Sequence, residues 1–124
     1  MTIEIKLGKY TKNVLLNADL ATCLEFTLVW ADLADNPAGL VRMCSAAIGV
    51  ILDADSMLPK YRADKDSILK YGRKVLERLL EKNVPVQDIY NSGSAVLIAM
   101  SEKVPNQQVV EDTKDFFPSQ EEED

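Results

Sequence analysis

The thirteen residues from Leu40 to Leu52 read LVRMCSAAIGVIL, and only Arg42 and Ser45 break their apolar run. A surface helix keeps a polar face, whereas a helix that is apolar on nearly all sides is buried. The run is well short of the roughly 20 residues that span a bilayer. Its small side chains, Ser45, Ala46 and Ala47, and Gly49 let neighbouring elements come close to its backbone. These features predict a central helix wrapped by the rest of the chain. A chain of 124 residues suits one domain and buries roughly two-thirds of its unfolded surface, so it needs no staples.

The wrapping elements can be read in order. Thr2, Glu4 and Lys6 alternate with Ile3, Ile5 and Leu7, the period-two pattern of a strand with one buried face. Gly8-Lys9 can turn the chain, and Tyr10 to Leu16 can return it as a second strand. A lone hairpin is marginal in water, so it must lie on helices or pair with another chain.

Asn17 or Asp19 can cap a helix running to about Asp35. That helix carries one stripe of Leu20, Cys23, Leu24, Thr27, Leu28 and Ala31, and a second of Phe26, Val29, Trp30 and Leu33. Two stripes imply contacts on two sides. Asn36-Pro37 ends this helix, because the residue before a proline is pushed out of the helical region. The break is short, so the central helix is expected to fold back antiparallel on the first.

After Leu52 a polar connection contains Pro59, and Ser56-Met57-Leu58 can form a helical turn. A helix from Asp66 or Ser67 to about Lys82 presents Ile68, Val75, Leu76 and Leu79, with Gly72 on the same face allowing a close crossing. A last long helix from about Val86 to Lys103 presents Ile89, Gly93, Val96, Leu97, Met100 and Val104. Pro105 then starts a short acidic helix with Val109, Val110, Phe116 and Phe117 as its apolar points. The predicted fold is mainly α: a small helical bundle around a buried central helix, with an N-terminal β-hairpin. Residues 1–117 form the domain and 118–124 a polar tail.

Charge is unevenly placed. Residues 1–110 balance at thirteen acids against thirteen bases, and the formal net charge of −6 resides wholly in residues 111–124. Such an acidic end is ordinarily a solvated terminus. Histidine is absent, which removes the commonest general base and zinc ligand. Cys23 and Cys44 sit in apolar helical text, as small buried thiols do. The opening residues show no signal or transit peptide pattern, and a cytoplasmic protein is expected.

The chemistry-bearing clusters are thin. Asp53, Asp55, Asp64 and Asp66 bracket the polar connection, but Met57 and Leu58 stand where an EF-hand needs oxygen ligands and glycine. Asp64 and Asp66 can cap a helix instead. Lys70, Arg73, Lys74 and Arg78 lack the net basic excess of a nucleic-acid face. Asn91-Ser92-Gly93-Ser94 lacks the P-loop lysine. No catalytic residue, metal or cofactor is expected.

Tyr71 to Val84 (YGRKVLERLLEKNV), Ile89 to Met100 (IYNSGSAVLIAM) and the later VVEDTKDFF together resemble small phage and prophage morphogenesis proteins of the tail assembly chaperone kind. The resemblance implies a non-enzymatic, cofactor-free assembly factor in the host cytoplasm. Its partner would be a tape-measure-like protein whose long apolar helix it keeps in solution. The competing reading is a small cytoplasmic regulatory or inhibitory module whose acidic tail meets a basic partner. Under either reading the candidate partner-binding residues are Trp30, Phe116, Phe117, Glu121, Glu122 and Glu123, with no membrane or nucleic-acid partner. The N-terminal strands offer a route to a homo-oligomer.

Overall fold

The structure is a computed structural model and describes residues 2–52 and 64–104. Its elements are β1 (Thr2–Leu7), β2 (Tyr10–Leu15), α1 (Leu20–Asp32), α2 (Pro37–Leu52), α3 (Lys65–Glu81) and α4 (Val86–Lys103). This is the mainly helical bundle with an N-terminal hairpin that the sequence predicts. The connection between α2 and α3, the short helix expected after Pro105 and the acidic tail lie outside the described residues.

α2 is the centre. Met43 to Gly49 are all buried, and so is Ile51. Ser45, the polar residue in this stretch, donates its hydroxyl to the Val41 carbonyl at 2.9 Å and so enters the core without an orphaned group. Pro37 occupies the first position of the helix, where its missing N–H costs nothing. The Asn36 side chain accepts from the Gly39 N–H at 3.0 Å and closes that end.

The neighbours of α2 differ from the expected ones. It packs chiefly on α3 and α4, and its contact with α1 is slight. Glycine explains the choice. A Cβ on Gly72 of α3 would collide with the Arg42 carbonyl, and one on Gly93 of α4 would collide with Cys44. Both helices therefore press directly onto the α2 backbone. α1 has no glycine, cannot approach as closely, and lies against α4 instead.

The helix ends follow local chemistry. Asp19 caps α1 by accepting from the Thr22 N–H at 2.7 Å, and Asp64 caps α3 by accepting from the Ser67 N–H at 2.8 Å. At the end of α3, Asn83 adopts a left-handed φ of 59°. The Val84 N–H then reaches the Leu79 carbonyl and the Asn83 N–H the Leu80 carbonyl. That pair of bonds is a Schellman stop, sealed by the burial of Val84. α1 ends at Asp32, earlier than the sequence suggests, in a turn in which the Leu33 N–H bonds to the Trp30 carbonyl.

The hairpin is antiparallel, with Leu7 opposite Tyr10, so Gly8-Lys9 is a two-residue turn. Gly8 has φ 65° while Lys9 does not have a positive φ, the pattern of a type II′ turn. Ile3, Ile5 and Leu7 face the core, and α4 holds the strand in place. The Lys6 N–H donates to Ser92 Oγ and Ser92 Oγ donates to the Lys6 carbonyl, each at 2.9 Å. The Gly8 N–H donates to Asp88 Oδ2 at 2.8 Å. Alternate strand residues repeat at about 6.6 Å and helix residues four apart at about 6 Å, so the two polar pairs match.

A candidate binding face on α1

A helix exposes one face and buries the other, and α1 does so with an unusual assignment of side chains. Cys23, Phe26 and Val29 point into the core, with Leu33 just beyond the helix end. The opposite face carries Leu20, Leu24 and Leu28 at four-residue spacing, and these are 50%, 41% and 55% exposed. Ala21 and Ala31 are exposed beside them. The stripe from Leu20 to Leu28 is about 12 Å long, two turns and a little more. Of the two sides of α1 that the sequence assigns to contacts, the Phe26 side is met. The other divides: Cys23 turns inward, and the leucines have no apolar cover among the described residues.

The segment of chain that carries the stripe is acidic. From Asn13 to Val41 the chain contains Asp19, Glu25, Asp32 and Asp35 and no lysine or arginine. Asp32 accepts a salt bridge from Lys65 of α3 at 2.6 Å with both groups well exposed, so water screens most of that attraction. At the Leu20 end, Lys103 near the end of α4 donates to the Ala18 carbonyl at 2.9 Å. α4 therefore ends beside the start of the stripe.

Among the site residues expected from sequence, Trp30 is half-buried and packs against the margin of the core. Phe116, Phe117, Glu121, Glu122 and Glu123 lie outside the described residues, as do Asp53 and Asp55. Asp64 serves as a helix cap and Asp66 sits in the first turn of α3. Among the described residues no group of three or more His, Cys, Asp or Glu side chains is placed to hold a metal ion. Asn91 to Ser94 lie within α4 rather than in a loop. Lys70, Arg73, Lys74 and Arg78 are exposed on α3, where Arg73 pairs with Glu77 at 3.4 Å.

Cys23 and Cys44 are buried free thiols. Burial raises the pKa of both above the ordinary 9.0; the Lys103 charge partly opposes this at Cys23, and the Ser94 hydroxyl, 3.9 Å away, does so at Cys44. The thiolate is the nucleophile, so both are poorly reactive near neutrality.

No known family, characterised protein or solved structure matches this chain. No described helix is long and apolar enough to cross a membrane. The sequence does carry the signal for the stripe, since Leu20, Leu24 and Leu28 are spaced for a single face. It does not show that this face is the one turned outward. Which stripe is covered depends on where α4 lands.

Proposed function

We propose that this protein is a non-enzymatic binding protein that holds an apolar helix from a protein partner, in the manner of a tail assembly chaperone of phage morphogenesis. The observation that carries the reading is the Leu20, Leu24 and Leu28 face on α1. An amphipathic helix laid along it would set its own apolar residues between these leucines, the helix-on-helix mode of recognition. The acids of residues 13–41 select the flanks of that helix: it carries lysine or arginine beside its apolar stripe. A long apolar helix of the tape-measure type fits this description where basic residues border its apolar face. Such opposite charge hastens encounter and fades with salt.

The test uses a long leucine-repeat helical polypeptide with flanking lysines that precipitates alone. Stoichiometric wild-type protein is expected to keep it in solution, and a Leu24→Asp/Leu28→Asp variant, which disturbs no core residue, is expected not to. Equal protection by the variant and the wild type would remove α1 from the account.

A further inference from the structure

The hairpin has two outer edges, and the structure treats them differently. Lys6 of β1 and Gly8 of the turn direct their backbone groups toward α4, where Ser92 and Asp88 bond them. That direction fixes the phase of the hairpin. Leu7 and Ile5 must exchange bonds with Tyr10 and Lys12, their partners in register. Thr11, Asn13 and Leu15 therefore point their N–H and C=O groups away from β1. No described residue bonds them, and all of β2 except the half-buried Val14 is exposed. The strand has neither proline nor bulge, and Lys12 is its single charge. The usual protections of an edge strand are nearly absent.

We propose that the outer edge of β2 pairs with the β2 edge of a second copy of this chain, giving a four-stranded antiparallel sheet across a two-fold axis. The occupant and the register follow from β2 itself. In a symmetric antiparallel pair only outward-pointing residues can exchange bonds, so the axis falls on a residue, and the two at the middle of Tyr10–Leu15, Lys12 and Asn13, overlap the strands most. An axis on Lys12 sets two ammonium groups directly opposite each other, which disfavours pairing. An axis on Asn13 places Asn13 against Asn13, Lys12 against Val14, Thr11 against Leu15 and Tyr10 against Leu16. Tyr10 and Leu15, 46% and 59% exposed in one copy, then gain cross-strand neighbours. The pairing also widens a two-stranded sheet that is marginal on its own. This face is separate from the α1 stripe, and the proposal stands or falls independently of the function proposed above.

Sedimentation over a wide concentration range gives the first measurement, with a reversible dimer expected at high concentration. Asn13→Pro removes an N–H that the hairpin does not use, so the variant is expected to melt with the wild type and to remain monomeric throughout. A register test accompanies it and does not depend on how proline is tolerated. Asn13→Cys is expected to form an intermolecular disulfide on mild oxidation, because paired Cα atoms across the axis lie about 5.5 Å apart, within disulfide reach. Glu4→Cys, opposite Asn13 on β1, is expected to form none, since three strand spacings separate the two copies by about 14 Å. A wild-type chain that stays monomeric, an Asn13→Pro chain that still dimerises, or cross-linking at Glu4 but not at Asn13 would each overturn the proposal.

Discussion

Single residues bear unequal shares of this fold. Ile48 is buried at the middle of α2, and among the described residues no charged side chain is buried with it. Ile48→Asp puts an unpaired charge there at a cost of several kcal/mol, against a total stability of about 5–15 kcal/mol. The variant is expected to show no cooperative thermal transition by circular dichroism, and a normal melt would contradict the central placement of α2. Ser92 is a polar counterpart. One hydroxyl satisfies both backbone groups of Lys6, so Ser92→Ala is expected to cost about 1–3 kcal/mol in urea unfolding. Amide exchange at Lys6 should quicken in parallel. The cysteines make a pH statement. Their folded pKa values are raised, so the folded chain keeps its thiol protons while the unfolded chain loses them above 9.0. The stabilisation is whole below that pH and is lost as pH climbs through the folded values. A Cys23→Ala/Cys44→Ala chain is expected to show a shallower alkaline loss of stability than wild type.

At the scale of elements, glycine decides who touches whom. Gly→Ala within a helix ordinarily stabilises by about 1 kcal/mol. At Gly72 the sign is expected to reverse, because the added Cβ meets the Arg42 carbonyl, and overpacking costs about 1–3 kcal/mol. A lowered urea midpoint in Gly72→Ala checks this, and a raised one would mean that α3 does not press on α2. These same contacts show what the sequence could tell. The burial of α2 was legible from its apolar run, the β1 alternation from its period, and α4 nearly to the residue from the Pro85 break and its three-and-four spacing. Residue type narrowed the caps to Asn17 or Asp19 and to Asp64 or Asp66, and the structure uses Asp19 and Asp64, so α3 starts at Lys65, before the expected Asp66 or Ser67. The partner of α2 was not legible, because a short connection at Asn36-Pro37 suggests adjacency to α1, while the deciding steric fact lies at Gly72 and Gly93, far along the chain. Nor was the outward face of α1. Leu20 and Cys23 belong to one sequence stripe, and only the position of α4 sends the cysteine in and the leucine out. The Ser92 anchor was hidden for a similar reason: a serine within a helix gives no hint of the strand it holds.

For the whole molecule, the account is of a helical body that closes its core around α2 and leaves one apolar helix face, on α1, without cover among the described residues. Charge extends that picture. Residues 1–110 are neutral, the net charge belongs to residues 111–124, and α4 ends beside the Leu20 end of the stripe. Deleting residues 115–124 is therefore expected to leave the melting temperature unchanged and to weaken binding of a basic-flanked helix, more so at low salt than at high salt. Unchanged affinity would make the tail idle in recognition. The central claim is tested most directly by calorimetric titration of a synthetic amphipathic helix, leucines along one face and lysines beside them, into the wild-type protein and into Leu24→Asp. The account predicts saturable binding by the wild type and its loss in the variant, with the two proteins melting alike. Equal binding to both, or none to the wild type, would contradict it.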